Sequence, residues 1–262
     1  MKMMKTATLN THYCDEGPQG ATPIIFSNSL GANISMWQPQ AEHFNSEFRI
    51  VRYDHRGHGK TAVPPGPYSF EVLCNDVVAL MDALNIERAH CVGLSMGGMT
   101  ALGLAIDHSD RLLSITSANC VAQIAGDAQK VWDDRIATVS ANGLEPILDG
   151  TIERWFTERT RAERATDMTA IREMIAATPV DGYLACCGAL KRLDYLERLS
   201  SIDLPTLFIA GTHDLGAPAA AMRDMHQRVS GSEYVEFDAA HVSNLECPEE
   251  FNRALGDFLR SD

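Results

Sequence analysis

Cys91-Val92-Gly93-Leu94-Ser95-Met96-Gly97-Gly98 sets a serine between an apolar run and a stretch of small and apolar residues, Met99 to Ile106. Gly-x-Ser-x-Gly between a strand and a helix suits a sharp turn that strains the serine backbone and pushes its hydroxyl out beyond the sheet's end. Gly93 and Gly97 have a steric task in such a turn, where a side chain at either position would collide. The helix that follows aims its N-terminus, with free N–H groups and partial positive charge, at the place where an oxyanion would form. These parts suit acyl transfer through a covalent serine. The hydroxyl is a poor nucleophile until a base takes its proton, and the base needs a third group to fix its tautomer.

The elements that must hold such groups follow from the hydrophobic pattern. Residues 6–14 alternate as a strand, and Pro23 to Ser27 is a short apolar run of the kind buried on both faces. Pro39 to Phe44 reads as a helix and Phe48 to Tyr53 as a strand. Ser69 to Asn85 reads as a helix, with Leu73, Val77, Leu80 and Leu84 on one face and Asn85 at its end. Leu112 to Thr116 is a further strand after the Ser95 helix. Strands alternating with helices in this rhythm predict an α/β fold: a mostly parallel twisted sheet with helices on both faces. The rhythm stops near residue 121, and up to about 200 only helical patterns occur, such as Leu144 to Arg159 and Thr169 to Ala177. A core of residues 1–120 and 201–262 with a helical cap over 121–200 is therefore expected. Alternation resumes with a strand at Thr206–Ala210, a helix near 217–228 and a strand at Glu233–Phe237. The last helix begins at Pro248, carries Glu249 and Glu250 in its first turn, and buries Phe251, Leu255, Phe258 and Leu259.

With its flanking strand and helix, the Ser95 turn resembles that of the α/β-hydrolase family. That resemblance makes Ser95 the nucleophile and predicts the chain order serine, acid, histidine, each just past a strand. Asp214 is the first carboxylate after the strand at 206–210, and His241 follows the strand at 233–237. The other acid position in this fold lies after the strand ending near 118, where Asn119 supplies no charge. The family's oxyanion hole uses two backbone N–H groups, here Met96 and, in the Asn28-Ser29-Leu30-Gly31 loop, Leu30. Asp54, Arg56 and His58 read as groups that brace loops, and histidines 12, 43, 55, 90, 108, 213 and 226 as structural or exposed.

Composition excludes several classes. A formal charge of −13 over 262 residues argues against nucleic acid or an anionic membrane as partner. An anionic small substrate remains open through a local arginine that overcomes the general field. Seven cysteines without C-x-x-C spacing predict reduced thiols in a cytoplasm, and neither a signal peptide nor a membrane span is evident. No metal-ligand motif appears, and the chemistry calls for no cofactor.

Longer segments narrow the class. Ser27-Asn28-Ser29-Leu30-Gly31 with Met36-Trp37, Asp54-His55-Arg56-Gly57-His58-Gly59, Gly211-Thr212-His213-Asp214 and Ala240-His241-Val242-Ser243-Asn244-Leu245-Glu246 resemble the 3-oxoadipate enol-lactonases. So do Trp132 with Arg135, Trp155-Phe156-Thr157 and Tyr183 to Leu190 in the helical stretch. Ala217 stands where those relatives lead one to expect threonine. The resemblance implies opening of a small anionic lactone. Arg135 is then the expected carboxylate contact, with Trp132 and Trp155 as apolar walls. An esterase or cofactor-free perhydrolase acting on neutral esters, and a ligand receptor that keeps the triad, remain alternatives on the same fold.

Overall fold

Eight strands form one sheet: β1 (Lys2–Lys5), β2 (Asn10–Glu16), β3 (Pro23–Ser27), β4 (Arg49–Tyr53), β5 (Ala89–Leu94), β6 (Leu112–Ala118), β7 (Thr206–Gly211) and β8 (Glu233–Phe237). Their spatial order is β1-β2-β4-β3-β5-β6-β7-β8, in a computed structural model that describes residues 1–261. β1 and β2 pair antiparallel, as do β2 and β4, and every later pairing is parallel. Every residue of β4, β5 and β7 is buried, so these strands are covered on both faces, the two arginines of β4 included.

The helices are α1 (Gln38–Phe44), α2 (Phe70–Ala83), α3 (Met96–Asp107), α4 (Asp127–Asn142), α5 (Leu148–Trp155), α6 (Glu158–Glu163), α7 (Ala165–Ala176), α8 (Val180–Lys191), α9 (Ala219–Arg228), α10 (Ser243–Glu246) and α11 (Pro248–Leu259). α2 starts where the Ser69 hydroxyl accepts the Val72 N–H, and its chain turns away through Asn85 at φ +54°. Leu73, Val77 and Leu80 face the core as the spacing predicts. α11 begins at Pro248 and buries the four apolar residues named above.

Some boundaries differ from the sequence reading. The single helix expected over 144–159 is a 3-10 turn at Glu145–Ile147, then α5, then α6. Phe156 is extended at φ −132° and ψ 144°, and the Thr157 hydroxyl caps α6 by accepting the Thr160 N–H. The strand expected at 6–14 is displaced to β2, and the preceding charged stretch forms β1, whose exposed edge carries no core pattern to betray it.

The helical stretch leaves and rejoins the core side by side. Gln123 bridges Asp194, the Ile124 N–H donates to Leu193 O at 3.1 Å, and the Tyr195 N–H donates to Ala122 O at 2.7 Å. It also touches the core backbone to backbone: a Cβ on Gly57 would lie 2.5 Å from Gly182 Cα, and one on Gly182 would lie 2.1 Å from Gly57 O.

Candidate active site

Ser95 sits between the end of β5 and the first turn of α3 at φ +57° and ψ −118°. A residue other than glycine in that region is held there at a cost of about 1–3 kcal/mol, offset by its surroundings. The constraint is visible in the glycines. A Cβ on Gly93 would lie 2.0 Å from Gly97 O, and one on Gly97 would lie 1.9 Å from Ser27 O, so neither position admits a side chain. The Ser95 N–H donates to Ala118 O at 2.8 Å, which ties the turn to the end of β6.

The loop after β8 brings His241 Nε2 to 2.9 Å from Ser95 Oγ, and His241 Nδ1 to 2.8 Å from Asp214 Oδ2. Nδ1–H donating to the carboxylate leaves Nε2 as an acceptor for the serine hydroxyl. Asp214 is buried, at 4% exposure, and its Oδ1 accepts the Gly216 and Ala217 N–H groups at 2.8 and 2.9 Å. Burial alone would raise its pKa. The His241 charge and hydrogen bonds from His241, Ala217 and Asn119 outweigh it and hold the carboxyl below its usual value. Ala217 acts here through its N–H, so the absence of a threonine side chain leaves the bond to Asp214 in place.

The two expected oxyanion donors lie against each other's elements. Met96 is the first residue of α3, where an N–H has no intrahelical acceptor. The close approach of Gly97 to Ser27 O and Asn28 N packs that first turn against the loop holding Leu30. The loop is braced at nearly every residue. Asn28 Nδ2 donates to Tyr53 O at 2.7 Å, the Ala32 N–H donates to Ser29 O at 3.1 Å, and the Gly31 N–H donates to His58 Nε2 at 2.9 Å.

The loop after β4 does this bracing, as its sequence suggests. Asp54 accepts from His12 Nδ1 and from the Ile34 and Lys60 N–H groups, and Arg56 pairs with Asp76 beneath the Tyr68 ring. Burial pushes His58 down to about 4 and His55 to about 3, so both rings stay neutral and His58 keeps a lone pair for Gly31.

Arg135 and Trp132 come together on α4, the guanidinium 6.0 Å from the indole ring centroid. Arg135 donates from Nε to Tyr183 OH at 2.6 Å and from Nη2 to Thr151 Oγ1 at 2.9 Å. Arg154 Nη2 reaches the same hydroxyl at 3.3 Å. Arg154 is exposed as a residue, yet desolvation of its guanidinium end and the neighbouring Arg135 charge pull its pKa below the usual arginine value. Tyr183 joins this group to the Leu30 loop, since its ring lies 3.5 Å from where a Gly31 Cβ would stand. Trp155 is buried on α5, and its carbonyl accepts the Val242 N–H, beside His241.

Three contributors escape the sequence reading. Asn119, noted there only for lacking charge, donates to Asp214 Oδ2. Glu246 ties Ala240 to Thr157, and Thr151 holds two arginines. Among the described residues, no group of three His, Cys, Asp or Glu side chains could hold a metal ion.

Residues 22–248 match the sequence pattern of the alpha/beta hydrolase fold family, and the chain belongs to that family. It is 40% identical over 248 residues to 3-oxoadipate enol-lactonase 1 of Acinetobacter baylyi, which spans 94% of this chain and 91% of the relative. It is similar in three dimensions to the enol-lactonase of Burkholderia xenovorans LB400, with a TM-score of 0.96 and 38% identity over 99% of this chain and 100% of the other. A malate-bound thermophilic esterase from Thermogutta terrifontis gives a TM-score of 0.94 at 26% identity, covering 100% and 99% of the two chains.

Proposed function

We infer that the chain is a serine hydrolase that opens 3-oxoadipate enol-lactone to 3-oxoadipate. The observation that carries this reading is the unbroken relay Ser95–His241–Asp214, at 2.9 and 2.8 Å, in a chain alike over nearly its whole length to enol-lactonases. His241 takes the proton as Ser95 Oγ attacks the lactone carbonyl, and Asp214 stabilises the imidazolium that forms. The tetrahedral oxyanion accepts from the Leu30 and Met96 N–H groups. The ring C–O bond then breaks, and the enol oxygen leaves with the His241 proton and tautomerises to a ketone. Because the ester is cyclic, the leaving group stays attached to the acyl chain on Ser95. Water, deprotonated by His241, attacks the acyl carbonyl, and Ser95 departs with the proton returned to it.

Residues 121–200 act as a cap over the core formed by 1–120 and 201–262, with Arg135 meeting the substrate carboxylate and Trp132 and Trp155 walling the ring. The supporting observation is that Arg135 and Arg154 form no ion pair among the described residues, in a chain of net charge −13. All seven cysteines are free and six are buried, and no described helix is long and apolar enough to cross a membrane, which suits a reducing cytoplasm.

The likeness to the esterase favours a second reading, hydrolysis of neutral esters. Following enol-lactone disappearance by absorbance, beside p-nitrophenyl acetate hydrolysis, separates the two. The lactone should be preferred, and Ser95→Ala should abolish turnover of both. A clear preference for the acetate would favour the esterase, and undiminished turnover by Ser95→Ala would remove both readings.

A further inference from the structure

The residue just past β6 bonds one member of the relay directly and stands at one residue's remove from the other two. Asn119 follows β6, is fully buried, and adopts φ +47°, a left-handed conformation that asparagine tolerates better than most residues. Its own N–H donates to Ile209 O at 2.8 Å, locking it to β7, whose end leads to Asp214. The preceding carbonyl, Ala118 O, accepts the Ser95 N–H. Its side chain spends both donors and its acceptor locally. Nδ2 donates to Asp214 Oδ2 at 3.1 Å and to Ala240 O at 3.2 Å, and Oδ1 accepts the Ser243 hydroxyl at 2.5 Å.

These bonds define the carboxamide's orientation. Reversing it would set an oxygen against the Asp214 carboxylate and the Ala240 carbonyl, and an NH₂ against the Ser243 hydroxyl. They also act where the relay is most sensitive, since Asp214 Oδ2 is the oxygen that faces His241 Nδ1 and Ala240 is the residue before His241. We propose that Asn119 is a positioning residue for the reaction: one carboxamide fixes the rotamer of the Asp214 carboxylate and the path of the His241 loop together, and touches no substrate. The proposal rests on the serine-hydrolase reading above. An aspartate at this position would oppose two carboxylates, and a leucine of similar size would leave Asp214 Oδ2 and Ala240 O each short of a buried donor.

The test compares wild type, Asn119→Leu, Asn119→Asp and Ser243→Ala, with Ser95→Ala as the reference for the underlying mechanism. Two readouts are taken: kcat and KM on the enol-lactone, and the second-order rate of Ser95 phosphonylation by a fluorophosphonate, which reports nucleophilicity whatever the natural substrate. Misplacing the base by a fraction of an ångström should lower kcat and the phosphonylation rate together by about 10–100-fold for both Asn119 variants, with KM changed less than about twofold. Ser243→Ala, which only frees the carboxamide to turn, should lose about three- to tenfold in the same two rates. Folded Asn119→Leu with a lowered Tm but wild-type kcat and phosphonylation rate would overturn the proposal. Should that variant fail to fold, Ser243→Ala at wild-type rates would overturn it. Full activity in Ser95→Ala would instead defeat the hydrolase reading on which it stands.

Discussion

Glu246 and Thr157, distant in sequence, share one carboxylate bridge: Glu246 Oε1 accepts the Thr157 N–H at 2.9 Å and its hydroxyl at 2.5 Å. The other oxygen, Oε2, accepts the Ala240 N–H at 2.7 Å, so the turn between α5 and α6 and the backbone leading into His241 are held by a single side chain. Replacing it by alanine leaves three donors without their acceptor and should lower kcat/KM about tenfold. Glu246→Gln should also lose activity, because one end of its amide presents N–H to a donor. Steady-state rates for both variants within twofold of wild type would show that the bridge does not set the position of His241.

Acid should weaken the fold through two neutral histidines. His55 and His58 are both displaced from the ordinary 6.5, to about 3 and about 4, with burial the foremost cause and the proximity of the two rings adding to the shift of His55. Between those values and 6.5 the unfolded chain binds protons that the folded chain refuses. Stability is therefore greatest above pH 6.5 and falls as pH drops, at up to about 1.4 kcal/mol per pH unit for each ring within its window. Urea unfolding at pH 7 and pH 5 measures the slope. His58→Gln, which keeps an acceptor toward Gly31 without titrating, should flatten it by one histidine's share; an unchanged slope would contradict the assignment.

Arg135→Ala should raise KM for the anionic lactone about tenfold or more, the loss of roughly 1.4 kcal/mol of carboxylate recognition, while KM for a neutral ester moves little. Arg135→Lys should not restore binding, since an ammonium cannot keep the guanidinium's fork to Tyr183 and Thr151. Arg154→Ala should act in the same direction and more weakly. Equal changes for the charged and the neutral substrate would remove Arg135 from the recognition site.

Much of this was readable before any coordinates because its causes are local. The Ser95 turn announces itself through two glycines whose missing side chains would strike backbone oxygens. α2 and α11 follow from apolar residues at helical spacing and from the starts supplied by Ser69 and Pro248. Asp214 and His241 follow from strand ends and chain order, given the family resemblance. What escaped depends on partners far away along the chain. Asn119 looked empty because it lacks charge, whereas its role comes from donors aimed at residues 95 and 121 positions later. Glu246 stands in the sequence only as the end of the His241 segment, with no role of its own, since its partner Thr157 lies 89 residues earlier. The break at Phe156 was hidden because charges and apolar residues mix through 144–159 without marking where the backbone must extend.

Gly57 and Gly182 meet with no side chain between them, which makes their contact a seam of zero thickness between the sheet's loops and α8. A crowded junction of larger side chains can absorb a mutation on one side by shrinkage on the other. This one cannot, because both partners are already the smallest residue available. Any gain of volume at either position must be met by prising α8, and Tyr183 with it, away from the loop that carries Leu30. Sequence change around this junction is therefore confined to the side chains that flank it, while the backbone seam at 57 and 182 stays fixed.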